Sequence, residues 1–419
     1  MLRKPITNIR NARFNTTSTP KPVIIVTPTQ ESHVQDSVLC SKQSGIRIRI
    51  RSGGHDYEGV SYVSQEPYII LNMFNLRSVA VDMKEQTAWK SKVHGFPSAV
   101  CPTVGVGGNL CDGGYGFMLR KYGTTVDNVL DAKMVDVNGR ILDRNSMGED
   151  LFWGIRGGGG GASFGVILAY KINLVAVPPK VTVFRVERTL EESATDIVSR
   201  WQHNGEMTIR ASIVALFLST TDDIVALLGK EFPELGLKKE DTMVMSWIES
   251  IVWVYNGNVT SPNVLLNREP NSATFGKRKS DYVQTPIPKD GLEGLWKRMI
   301  EIGETGLAFN PYGGKMSQIP ASVKDGGIEA ENNFTAQAKN LYSYMTPFVS
   351  KNPRSAFLNY RDLDIGIKYH GNNSYEEGKV YGTMYFHENF DRLVKVKTEV
   401  DPENFFRNEQ SIPPLPRNA

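Results

Sequence analysis

Three glycine-dense stretches constrain this chain more than any other feature: Ser52 to Gly59, Gly105 to Gly116 and Gly154 to Gly165. Lacking a Cβ, glycine lets backbone approach a ligand closely, and successive N–H groups in such turns form concave sites for anions. Arg51-Ser-Gly-Gly-His-Asp56 offers those donors directly after a strand-like run, which suits a pyrophosphate. Three loops converging on one ligand suit a long dinucleotide.

Two common nucleotide folds fail on local context. Gly157 to Gly161 with Ala162 satisfies G-x-G-x-x-A, but that fingerprint needs a strand before it and a helix after it. Here Glu149-Asp-Leu-Phe-Trp153 precedes the loop, and Phe164 to Leu174 reads as a strand. No G-x-x-x-x-G-K-[ST] occurs, so a P-loop has no support.

The surrounding pattern predicts an α+β fold. Val23 to Thr27 is a short apolar run, and Ser32 to Ser44 reads as a helix stopped by Gly45. Ile46 to Arg51 alternates like a half-exposed strand, while Pro67 to Asn72 and Ser78 to Asp82 read as further strands. Val129 to Asp136, followed by Asn138-Gly139, predicts a hairpin. From Val181 to about Asn352 the chain reads as a separate lobe, with a strand at Ala211 to Leu218 and a helix at Asp222 to Glu231. The last segment carries a Lys-rich helix at Phe390 to Val400 and ends its pattern at Pro413-Pro-Leu-Pro416.

Composition narrows the partners. The 419 residues have room for two domains or one large one, and 40% hydrophobic residues fill ordinary cores. A balance of 48 basic against 45 acidic residues disfavours nucleic acid. No run of 18 apolar residues predicts a membrane span, and Met1 opens on Leu-Arg-Lys-Pro without the apolar core of a signal peptide. Sequons at Asn15, Asn258, Asn333 and Asn372 point instead to a secretory compartment or cell wall. Cys40, Cys101 and Cys111 are an odd set, so at least one thiol is unpaired or modified.

Long motifs then carry a resemblance: Arg49-Ile-Arg-Ser-Gly-Gly-His-Asp-Tyr-Glu-Gly59, Cys101-Pro-Thr-Val-Gly-Val-Gly-Gly108, and Glu149-Asp-Leu-Phe-Trp-Gly-Ile-Arg-Gly-Gly-Gly-Gly-Gly161. With Asn359-Tyr-Arg-Asp-Leu-Asp364 and Asp401-Pro-Glu-Asn-Phe-Phe-Arg-Asn-Glu-Gln-Ser-Ile-Pro413, the chain resembles the berberine bridge enzyme-like family of the vanillyl-alcohol oxidase type. The resemblance implies a PCMH-type FAD domain over 18–178, a substrate domain with an antiparallel sheet over 179–352, and a C-terminal segment, 353–416, returning to the FAD domain. It also implies FAD attached twice, through His55 and Cys101. An imidazole nitrogen and a thiolate are nucleophilic enough for such bonds near neutral pH.

By the same resemblance the cofactor is contacted by Arg51, Ser52, Gly53, Gly54, Asp56, Gly59, Thr103, Val104, Gly105, Gly107, Gly108, Gly116, Gly161, Gly165, Val166 and Asn389. Val104 stands where relatives control oxygen access, and valine there favours an oxidase. Tyr57, Tyr115 and Tyr360 surround the substrate, with Tyr360 as base. A tyrosine ionises near pH 10, so that role calls for a pKa lowered by roughly three through a nearby cation, and Arg361 is adjacent in sequence. The expected reaction moves a hydride from an alcohol, sugar or alkaloid to flavin, with O2 reduced to H2O2 by a monomeric enzyme. In relatives the equivalent of Cys40 pairs with an N-terminal cysteine, and no such partner precedes it here.

The chain also departs from the family pattern. Gly-Gly-His-Phe-Ser-Gly-Gly-Gly is replaced by Gly107-Gly-Asn-Leu-Cys-Asp-Gly-Gly114, which puts a carboxylate at Asp112 where relatives have glycine. Segments are expected to be missing at Trp89-Lys90, between Gln202 and Ala211, and between Ser322 and Glu329. These gaps suggest an incomplete gene model or a decayed copy, and with it a rival reading: a secreted flavin-binding glycoprotein of the same fold without turnover.

Overall fold

The structure, a computed structural model, describes residues 9–82, 93–101, 103–189, 209–258, 261–266, 275–303, 305–318, 328–332, 335–369 and 374–416. Near the N-terminus, β1 (Ile24–Val26) and β2 (Arg47–Arg51) flank β3 (Tyr68–Asn72) in a parallel sheet. The crossover helix α1 (Glu31–Gln43) buries Val34 and Val38 against Ile48, Ile69 and Leu71. Gly45, at φ +63°, turns the chain out of the helix as its position predicts.

The strand at Ile46 to Arg51 is not half-exposed. Arg47, Arg49 and Arg51 are as buried as Ile48, because the arginine face meets chain rather than water. Arg47 pairs with Glu66, and Arg49 Nη2 lies 2.6 Å from Glu409 Oε1 in the C-terminal segment. Periodicity alone cannot distinguish a solvated arginine face from one covered by distant carboxylates. Ser78 to Asp82 forms no strand either. Val79 and Val81 are exposed, and a strand without a ladder partner among the described residues gains nothing from its alternation.

A two-stranded ladder joins β4 (Val93–Gly95) to β8 (Val175–Val177). A second sheet has the order β6-β5-β7, built from β5 (Val129–Val135), β6 (Ile141–Leu142) and β7 (Val166–Ile172). Gly139 at φ +73° makes the β5–β6 hairpin, and the Asp136 carboxylate accepts from the backbone of Asn138 and Arg140. A helix, Arg144–Gly154, precedes the third glycine loop, as the rejection of a Rossmann site requires. The C-terminal helices Ser374–Phe386 and Asn389–Val400 pack Tyr381, Tyr385, Phe390 and Leu393 onto Phe152, Phe164 and Met134 of this sheet and its helix.

Two antiparallel sheets form the middle of the chain. In one, β9 (Lys180–Arg188) lies between β10 (Ala211–Phe217) and β11 (Thr242–Ser246). In the other, β14 (Ile328–Asn332) lies between β12 (Lys277–Asp281) and β13 (Thr305–Ala308). The α+β class follows from these sheets and helices. Among the described residues no helix is long and apolar enough to cross a membrane.

Candidate active site

The first two glycine loops are packed backbone against backbone. A Cβ on Gly53 would strike the Gly105 nitrogen and the Thr103 carbonyl, and one on Gly105 would strike the Gly53 nitrogen and Ser52 Oγ. Only glycine fits at this crossing. Gly108 differs, because a Cβ there would meet nothing within 4 Å. The third loop is tied in through Cys111, whose carbonyl accepts from Gly157 and Gly159 and whose Sγ accepts from the Gly161 N–H.

These loops wall one continuous cavity of about 2770 Å³ that also reaches the middle sheets. Drug-sized pockets run to roughly 300–1,000 Å³, so this space admits a dinucleotide together with a substrate. Its wall includes His55, Cys101, Arg51, Ser52, Gly53, Gly54, Asp56, Thr103, Val104, Gly105, Gly107, Gly108, Gly116 and Gly161. Gly59, Gly165, Val166 and Asn389 fall outside it. Gly59 turns over the Phe14 ring, Gly165 is closed in by Met134 and Val135, Val166 is buried in the core, and Asn389 opens a helix.

His55 bridges the two loops. Its Nδ1 lies 2.9 Å from Thr103 Oγ1, two residues past Cys101, and its Nε2 lies 3.3 Å from the Tyr57 hydroxyl. Burial, with the cations of Arg10 and Arg278, pushes the imidazole down to about 3, so it is neutral at physiological pH. The Cys101 thiol is free and exposed on the same wall. Cys40 is free and exposed on α1, and Cys111 is buried and pushed up to about 11, chiefly by burial.

The three tyrosines meet. Tyr115 and Tyr360 hydroxyls are 2.5 Å apart, and the Tyr57 and Tyr360 ring centroids 6.1 Å apart. Asn310 Nδ2 donates to the Tyr115 oxygen over 2.9 Å. The cation beside Tyr360 is Arg278 of β12 rather than its sequence neighbour: the guanidinium carbon sits 5.5 Å from the Tyr360 ring and 4.7 Å from the Tyr57 ring. Arg361 turns away, donating to the Gln410 carbonyl and lying 4.0 Å from Asp112. Burial raises Tyr360 well above its ordinary value, Tyr115 adds to this, and Arg278 works in the opposite direction. Arg278 and Asn310 carry no motif of their own, which is why residue patterns miss them. Asn359 also clamps the second loop, donating to the Gly108 carbonyl and accepting from the Gly114 N–H.

A glycine-built dinucleotide cradle facing a tyrosine pocket defines a flavin-binding oxidoreductase of α+β architecture. Known proteins agree: the family profile "FAD binding domain" matches residues 22–91 and 81–145, and "Berberine and berberine like" matches 356–413. Berberine bridge enzyme-like 21 of Arabidopsis thaliana is 54% identical over 462 aligned positions, covering 97% of this chain and 86% of that protein. The crystal structure of Phl p 4, a grass pollen allergen with glucose dehydrogenase activity, superposes with a TM-score of 0.91 at 40% identity, covering 98% of this chain and 94% of the allergen. An isoleucine-to-valine variant of that allergen is a glucose oxidase. Berberine bridge enzyme from Eschscholzia californica superposes with a TM-score of 0.92 at 34% identity, over 98% and 94% of the two chains. The chain belongs to the berberine bridge enzyme-like family of FAD-linked oxidoreductases.

The comparison also bears on the gaps. An alignment of 462 positions exceeds the 419 residues available, so the Arabidopsis relative carries internal residues that this chain lacks. The FAD-binding profile matches in two pieces that overlap around Trp89-Lys90. That junction, with Gln202, Ser322, Asn333 and Asn372, lies outside the described residues; the sequon asparagines Asn15 and Asn258 are exposed.

Proposed function

We propose that this chain is an oxidase that removes a hydride from an alcohol-, sugar- or alkaloid-type carbon, with FAD bound covalently through His55 and Cys101, in a secretory compartment. When bound, FAD supplies the hydride acceptor and the site of reoxidation by O2, with H2O2 as product. The observation that carries the reading is His55, neutral and nucleophilic, bonded across to the Cys101 loop and facing the Tyr115–Tyr360 pair over one cavity. The glycine crossing holds the two attachment stretches together, and the open space at Gly108 leaves room beside them. Tyr360, hydrogen-bonded to the Tyr115 that Asn310 fixes, is the proposed base; burial raises its pKa instead of lowering it as that role requires, and Arg278 acts in the direction the role needs. Tyr57 and Tyr115 favour an aromatic alcohol by ring contact. Val104 lines the cavity, where its small side chain supports the oxidase reading.

Acid precipitation followed by a visible spectrum tests attachment. A yellow pellet, with peptide mass shifts at His55 and Cys101, is expected. Peroxide release against a panel of alcohols and oligosaccharides tests turnover. The second reading, a flavin-binding protein without turnover, is favoured by the Asp112 carboxylate in the cavity wall and by the missing internal residues. Steady peroxide production excludes it.

A further inference from the structure

Behind the tyrosine pocket lies a cluster of charge that the reaction itself does not use. On β12 the side chains alternate, so Arg278 faces the cavity while Lys277 and Lys279 face inward, each no more than 2% exposed. Lys277 Nζ pairs with Glu58 and lies 2.5 Å from Asp362 Oδ1. Lys279 Nζ lies 2.6 Å from Asp362 Oδ2 and 2.8 Å from Asp364 Oδ2. Arg13, at 3.7 Å from Glu58, and Lys339, at 3.6 Å from Asp364, add two cations at its rim.

Stability is a poor reason for such a cluster. Desolvating several ions costs about as much as their attraction returns, and well-packed apolar side chains serve as well or better; what a buried ionic group supplies is a fixed register. The placement of the members is informative. Glu58 follows Tyr57, Lys277 and Lys279 flank Arg278, and Asp362 lies two residues past Tyr360. Three segments remote in sequence thus meet at one point, and each carries a pocket residue beside its charged one. Ser280, on the Arg278 face of the strand, reinforces this by accepting from the Phe357 N–H over 2.8 Å.

We propose that Lys277, Lys279, Glu58, Asp362 and Asp364 are positioning residues: their cluster registers the first glycine loop, β12 and the C-terminal segment, and so holds Arg278 against Tyr57 and Tyr360, within electrostatic reach of His55. His55 reports on this register. It faces Thr103, Tyr57, Arg10 and Arg278, and the Arg278 cation contributes to keeping it neutral. If Arg278 is released, that contribution weakens and the imidazole protonates at higher pH.

The test uses the full chain produced under riboflavin depletion, so that His55 carries no flavin. Lys279→Met combined with Asp364→Asn removes one charge of each sign and leaves Lys277 with Glu58 and Asp362. Imidazole titration by NMR, with His55 identified among the six histidines by His55→Gln, should show its midpoint rising from about 3 by one pH unit or more. Lys279→Arg with Asp364→Glu should restore the wild-type midpoint. Asp281→Asn with Arg354→Met breaks a neighbouring ion pair between the end of β12 and the C-terminal segment, leaves Lys277, Lys279, Glu58, Asp362 and Asp364 intact, and should leave the midpoint in place. A folded cluster variant whose His55 titrates as in wild type overturns the proposal, as does an equal shift in the Asp281 control. If the double variant does not fold, Asp364→Asn alone, at the more exposed end of the cluster, should give a smaller shift of the same sign, and no shift overturns it. The inference rests on the proposed roles of His55 and Tyr360, yet its readout is taken on flavin-free protein: flavin attachment can fail while the titration holds, and the titration can fail while flavin still attaches.

Discussion

The two walls of the cavity are built by different means. The cofactor wall is backbone: Gly53 and Gly105 touch where no side chain fits, and the third loop is fastened to the second through the Cys111 carbonyl. The substrate wall is side chains: Tyr57, Tyr115, Tyr360, Arg278 and Asn310 come from five separate stretches and are held by one another's rings and hydroxyls. A wall of backbone has little tolerance and works as a unit. A wall of side chains can lose one member and still stand, with its chemistry changed.

That contrast is easiest to break at Gly105. Gly105→Val places branched carbons on the Gly53 nitrogen and Ser52 Oγ, and overpacking of this kind costs about 1–3 kcal/mol or more even where neighbours can yield. Here the neighbour is mostly backbone. Loss of bound flavin is expected, read as a colourless preparation whose far-UV circular dichroism is unchanged. Retained yellow colour would mean that the loops are not the cradle.

On the side-chain wall the effects should be on rate, with flavin content unaltered. Tyr360→Phe removes the proposed proton acceptor and leaves the ring, so kcat should fall by about 10²–10⁴. Wild-type turnover in that variant would take the base role from Tyr360. Arg278→Met is milder. It removes the cation over two rings, raises the midpoint of the ascending limb of the kcat–pH profile by about one pH unit, and costs about tenfold at neutral pH. A profile unmoved by that substitution would separate Arg278 from the tyrosines.

How much of each wall was legible follows from how it is made. Glycines, His55 and Cys101 lie in contiguous motifs, so the sequence could place them together on the cavity wall, and local periodicity located α1, β3 and the β5–β6 hairpin. Arg278 and Asn310 are single residues brought to the site by β12 and by the segment after β13 of the middle lobe, and sequence adjacency pointed to Arg361 instead. The arginines of β2 misled for the same reason. Glu409, which buries Arg49, arrives from the far end of the chain. Long-range pairing decides which face of a strand is wet, and a period-two pattern carries no record of it.

Asp112 is where the backbone wall acquires a side chain, and its effect should be the smallest. Burial pushes its carboxyl up to about 6, Arg361 at 4.0 Å pulls it down, and Asp56 adds repulsion. A carboxyl whose folded value is raised binds a proton in the native state that the unfolded chain has already released. Stability is therefore lost as pH rises from about 4 through about 6, and is not regained above that window. Taken in full, that rise would be worth about 3 kcal/mol, but the side chain keeps some contact with solvent, and replacing it strands part of the Arg361 charge. Asp112→Asn should accordingly stabilise by about 1 kcal/mol at pH 7.5 and by nothing at pH 4, as read from urea denaturation at the two pH values. An equal gain at both would show that the carboxylate's charge is not what strains the wall, and would move the explanation to its size.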